Sequence, residues 1–140
     1  MNKSNQDLYN ELAYYTLDHP DKIYFIHQHV VDVYTAQHAN DKTRPIAMIF
    51  ALAGLYLYIE KNYSGKQVQI AHIRMSKNKK VWPSVNLPEQ RGEISILKVL
   101  ETPPGKERDL MIKRWCNSVW QAFDESHEII ASLVKTELGV

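Results

Sequence analysis

The sequence predicts an all-α fold: a helical bundle of five or six helices around a central apolar helix, crossed by an irregular proline-rich strap. Three observations predict it. The run PIAMIFALAGLYLYI, Pro45 to Ile59, carries no charge over fifteen residues. The segments on either side repeat their apolar residues at helical spacing. Between Lys106 and Glu137 there is neither proline nor glycine to punctuate a loop. A chain of 140 residues is large enough to bury a core without disulfides or metal, and reads as a single domain over 1–140.

In order, Ser4 or Asn5 caps a first helix in which Leu8, Leu12 and Tyr15 recur at i, i+4 and i+7. Pro20 disfavours helical geometry at His19, so that helix ends near Asp18. Asp18 or Asp21 opens a second helix, roughly Lys22 to Ala39, which Asn40-Asp41 closes. One face of it runs through His27, Val31, Tyr34 and His38, with Ile23 and Val30 beside them; Gln28, Asp32 and Thr35 form an adjoining polar stripe. Thr43 offers an N-cap hydroxyl to the central helix, and Pro45 sits in its first turn, where a missing N–H costs nothing.

A helix apolar on every side must be surrounded by lipid or by protein. Crossing a bilayer takes about 20 apolar residues, and this run stops between Arg44 and Glu60-Lys61, so protein surrounds it. Gly54 with Ala51 and Ala53 marks the close approach of a neighbouring helix. Asn62 and Ser64-Gly65 end the central helix, and Ser64 with Gln67 opens the next by a capping box, toward Met75 or Ser76. Residues 81–93, containing WPSVNLPEQRG, form the strap, pinned by Trp82 and Leu87. Ile94 to Leu100 reads either as a two-turn helix capped by Ser95 or as a strand. Beyond the break at Thr102–Gly105 a long helix follows, bent near Asp124 to Ser126. Its core arc is Ile112, Trp115, Val119, Phe123, Ile130, Leu133 and Val134.

Net charge is +1, so no global field draws nucleic acid or an anionic membrane, and neither is an expected partner. Arg74, Lys77, Lys79 and Lys80 with Trp82 make a local basic cluster, which a solvated helix end explains as well as a nucleic-acid patch does. Cys116 is the lone cysteine, reads as an inert buried thiol, and fits a reducing compartment. The N-terminus is polar and acidic where a signal peptide is basic and then apolar, so the cytoplasm is the expected location.

The chemistry concentrates in His27, His29, Asp32, His38, His72, Arg74 and His127. On a regular helix His27 and His29 point nearly opposite ways, and His27 and His38 stand about 16 Å apart at 1.5 Å per residue. Neither pair can share a metal. His29 and Asp32, at i and i+3, can touch. His27, His72 and His127 lie on three different helices and could converge on a divalent metal, with Asp32 as ligand or supporting partner. The competing reading makes each a hydrogen-bonded packing residue, since no HExxH, ExxH or CxxC is present. Two functions follow: a histidine-lined interior pocket for a metal or small molecule, or a non-catalytic interaction module or homodimer using Met111 and Ile129 on the last helix.

The runs FIHQHVVDVYTAQHA, ALAGLYLYIEKNYSGKQVQIAHIRM, WPSVNLPEQRG, VLETPPGKERD and RWCNSVWQAFDESH resemble an uncharacterised bacterial family classed only as a domain of unknown function. The resemblance extends over nearly the whole chain after residue 8, and its HQHVVD-x-Y-x-AQH motif is fairly specific. It implies that His27, His29, Asp32, His38, His72, Arg74, Trp82, Trp115 and Trp120 belong to the family's motifs. It brings no activity with it.

Overall fold

A computed structural model describes residues 3–18, 25–78 and 80–140. Those residues form seven α-helices: α1 (Asn5–Asp18), α2 (Ile26–Gln37), α3 (Pro45–Lys61), α4 (Gly65–Ser76), α5 (Ile96–Glu101), α6 (Lys106–Ala122) and α7 (His127–Leu138). No strand occurs among them, so Ile94 to Leu100 takes the helical alternative. The count exceeds five or six because the expected bend at 124–126 is a full interruption. A 3-10 turn there separates α6 from α7, with Phe123 at φ −92°, ψ 32°.

Helix α3 is the hub. Met48, Ile49, Ala51, Leu52, Ala53, Gly54, Leu55 and Leu57 are all buried, and the helix touches α2, α4, α6 and α7. Each large apolar side chain taken from water contributes about 1.5–3 kcal/mol, which is why the most apolar segment sits at the centre. No helix is long and apolar enough to cross a membrane among the described residues. Pro45 occupies the first turn as expected, but Arg44 is the N-cap residue and its side chain caps nothing. Thr43 Oγ1 instead accepts the Asn40 N–H at 3.0 Å and closes the preceding turn. At the other end Asn62 adopts φ 57°, and the Tyr63 N–H reaches the Leu57 carbonyl at 2.9 Å. The Ser64–Gln67 capping box that starts α4 forms in both directions, at 3.1 and 2.8 Å.

Helix α2 departs from the expected orientation. Its deepest line is His29, Val30, Asp32, Val33 and Ala36, while His27, Val31, Tyr34 and His38 are only half-buried. The reason is enclosure: α1, α3, α4 and α6 all pack on α2, so the polar stripe containing Asp32 is covered too. The face through His27 and Tyr34 meets α1, with Tyr9 against Tyr34 at 4.5 Å. The expected helix boundary at His19-Pro20, the start at Asp21 or Lys22, and Ile23 lie outside the described residues. Phe25, at φ 44°, precedes the first turn.

The strap has no regular structure and is held at both ends. Trp82 stands edge-on to Phe50 of α3, with centroids 5.3 Å apart. Arg91 donates from Nε to the Pro88 carbonyl at 2.8 Å and from Nη1 to the carbonyls of Gln37 and Ala39 at the end of α2. Gln37 returns the contact, donating from Nε2 to Arg91 O and Ile94 O and accepting from Trp115 Nε1 at 2.9 Å.

Candidate functional site

Three helices meet at Gly54. A Cβ built there would stand 1.9 Å from Asp32 Oδ2 and 3.2 Å from His72 Nε2, so the carboxyl of α2 and the imidazole of α4 close on the space a side chain of α3 would fill. The expected close approach of a neighbouring helix at Gly54 is met, and the groups that approach are a carboxyl and an imidazole. Asp32 is 3 % exposed. Its Oδ1 accepts from Gln28 Nε2 at 3.2 Å, and its Oδ2 finds no hydrogen-bond partner among the described residues.

Burial dominates the electrostatics. Desolvation raises the Asp32 carboxyl well above the ordinary carboxylate range, and the Gln28 hydrogen bond acts the other way as the smaller effect. Desolvation lowers His72, against a smaller opposing effect of its bond to the Phe50 carbonyl. That bond, Nε2 to Phe50 O at 2.7 Å, fixes the tautomer: a carbonyl accepts, so Nε2 carries the proton and Nδ1 is a bare acceptor. Gln28 Nε2 reaches that acceptor at 3.5 Å. The junction therefore joins a carboxyl held toward its acid form, an imidazole held toward its neutral form and a carboxamide, a set able to exchange protons or to grip a polar group.

The remaining residues singled out in the sequence are placed elsewhere. His29 does not meet Asp32: it stacks flat on Tyr58, 3.5 Å and 6° apart, and its Nδ1 has no hydrogen-bond partner among the described residues. Burial, aided by Lys113, holds its pKa down at about 3. His27 Nδ1 bonds Thr16 Oγ1 of α1 at 2.8 Å. His38 packs on Tyr34 at 4.3 Å, with Nε2 buried and unpartnered among the described residues; burial and then Arg91 lower its pKa. His127 donates from Nε2 to the Trp120 carbonyl at 2.7 Å and stacks on that indole, so it caps the end of α6. His27, His72 and His127 are each turned to a different partner. Among the described residues no three His, Cys, Asp or Glu side chains are grouped to hold a metal ion, so the expected convergence does not occur.

Arg74 is exposed on the outer side of α4, about 200° around the helix from His72. It lines a shallow cavity of about 170 Å³ with Tyr63, Gln67, Ile70, Ala71 and Leu138. The basic cluster is partly consumed by structure: Lys80 pairs with Glu137 and lies 5.0 Å over the Trp82 ring, while Lys79 is outside the described residues. Cys116 is fully buried, and desolvation and then Asp32 push its thiol well up, which leaves it a neutral group. Met111 and Ile129 do not share one helix: half-buried Met111 is on α6 and exposed Ile129 on α7.

Residues 3–124 match the model of a family described as "Family of unknown function (DUF5946)". The chain belongs to that family. No curated protein and no solved structure matches it. The family span takes in α1 to α6 and ends inside the 3-10 turn, so Gln28, Asp32, Gly54 and His72 all lie within it while His127 and α7 do not.

Sequence reasoning missed Gln28 as a site residue, Gly54 as the floor of the site and Tyr58 as the platform for His29. Gln28 and Asp32 at i and i+4 were a readable signal. A glycine inside an otherwise apolar hub was another, since glycine there costs helix propensity and marks a close approach.

Proposed function

We propose that this protein binds a small polar molecule at the junction of α2, α3 and α4, with Asp32 as the recognition centre and Gln28 and His72 beside it. One observation carries the reading. Asp32 is buried with an oxygen that has no hydrogen-bond partner among the described residues. Leaving a buried polar group unsatisfied costs about 1–3 kcal/mol, and an apolar side chain of similar size avoids that cost. A chain selected for packing alone has no use for the acid. Gln28 and His72 are half-buried, so the junction has an outward edge through which a ligand can reach it.

A thermal-shift screen of small polar metabolites against the wild type and Asp32→Asn tests the reading. The expected hit raises the Tm of the wild type by several degrees and leaves Asp32→Asn unmoved. Hits that stabilise both proteins equally, or no hits at all, return Asp32 to a packing role.

A further inference from the structure

We propose that the ligand head group at this junction is a small primary ammonium, and that the Gln28 carboxamide stands in its place. The proposal rests on the junction being a binding site, and a count of donors and acceptors carries it. His72 Nε2–H is spent on the Phe50 carbonyl at 2.7 Å, which leaves Nδ1 with an open lone pair. Asp32 brings two carboxyl oxygens, of which Oδ2 has no hydrogen-bond partner among the described residues. Apart from the acid's own O–H, one donor group serves the whole set. The Gln28 amide reaches Asp32 Oδ1 at 3.2 Å, the far end of the ordinary range, and His72 Nδ1 at 3.5 Å, which is long for an N–H donor.

Acceptors thus outnumber donors around a buried carboxyl that lacks a counter-charge. Burial and the Gln28 hydrogen bond are what act on Asp32, with no cationic group among the causes, and neither ion pair among the described residues involves it. An ammonium supplies three N–H donors and one positive charge in a single compact group. Its charge stabilises the carboxylate form of Asp32, converting a partly satisfied acid into a hydrogen-bonded ion pair. An anion would find the acid O–H and the already engaged Gln28 amide as donors, and would meet the lone pairs of the other carboxyl oxygen and of His72 Nδ1. A neutral amide repeats what Gln28 already provides. A divalent ion has too few ligands, because no three suitable side chains are grouped among the described residues. Gln28 is at the half-buried edge of α2 on a flexible stem, so it can swing out and yield its place.

Chemical rescue tests this. Gln28→Ala is titrated with methylammonium chloride and, separately, with acetamide, which replaces the lost carboxamide without charge. Binding is read from amide chemical shifts around Asp32, Gly54 and His72, and ionisation from the Asp32 carboxyl carbon. The expected result is that methylammonium binds Gln28→Ala at least tenfold more tightly than acetamide and at least tenfold more tightly than it binds the wild type. It also moves the Asp32 carbon to its carboxylate position, and Gln28→Ala combined with Asp32→Asn loses the response. Acetamide binding as tightly as methylammonium would overturn the ammonium class while leaving the binding site intact. If neither probe perturbs the junction, the class and the site reading fall together. Should Gln28→Ala fold poorly, Gln28→Ser serves as the variant. In the wild type at raised methylammonium concentration, an Asp32 carbon that stays in its acid position overturns the proposal by itself.

Discussion

A methyl group at position 54 would sit 1.9 Å from Asp32 Oδ2 and 2.7 Å from its Cγ, distances no relaxed structure tolerates. Alanine favours a helix over glycine by roughly 1 kcal/mol, so on propensity alone Gly54→Ala would stabilise α3. Overpacking a filled junction costs about 1–3 kcal/mol, sometimes more, and here the displaced group is a buried carboxyl. The clash is expected to win, with Gly54→Ala lowering unfolding free energy by about 2 kcal/mol in urea titrations. Asp32→Ala in the same chain removes the atom that clashes. The double variant is therefore expected to recover most of the loss, giving a large favourable coupling in the cycle. Additive effects would mean that the two residues do not touch.

Between elements, the strap is fastened to α2 by few but well-aimed groups. The last carbonyls of a helix lack intrahelical donors, and the Arg91 guanidinium supplies a donor to that of Gln37 and another to Ala39 just past the helix end, while matching the negative end of the helix dipole. Arg91→Ala removes three donated bonds, one of them within the strap. It is expected to cost about 2–3 kcal/mol, typical of hydrogen bonds from a charged donor. Limited proteolysis should then cut residues 81–93 well before the helices, whereas equal protection in variant and wild type would show that Trp82 alone holds the strap. Such long-range fastening was not legible in the sequence. Pro45, the Ser64–Gln67 box and a bend at 124–126 were, because each depends on neighbours within four residues, although the bend proved to be a full interruption. The partners of Gln37 and Gly54, and most of those of Arg91, come from distant parts of the chain, and periodicity says nothing of which face meets which. That is also why α2 was read with His27 and His38 inward: the stripe rule ranks faces of a helix with one covered side, and α2 is covered on several.

Over the whole molecule, burial keeps the interior uncharged, and this sets how stability depends on pH. His27, His29, His38 and His72 are all lowered, first by desolvation. A lowered histidine contributes stability above its unfolded value near 6.5 and loses it as pH falls, because the unfolded chain takes the proton first. His29 keeps losing it down to about 3. Asp32 is raised and runs the other way: its contribution is complete below the unfolded value near 4 and is lost as pH climbs toward the folded one. Acid is therefore expected to destabilise the chain below about pH 6.5, since four groups oppose one. His29→Phe keeps a flat ring on Tyr58, and its Nδ1 had no partner among the described residues to lose. The variant should flatten the acid limb by up to about 1.4 kcal/mol per pH unit, measured by urea unfolding at pH 7 and pH 5. An unchanged limb would mean that His29 is already protonated in the fold.

Everything functional here returns to one proton. In the free wild-type chain, the carboxyl carbon of Asp32, followed by carbon-13 NMR from pH 3.5 to pH 8, should keep its acid position through neutrality. A carbon that instead moves to the carboxylate position with a midpoint near 4 would show a solvated, ordinary aspartate, and the junction of α2, α3 and α4 would hold no site.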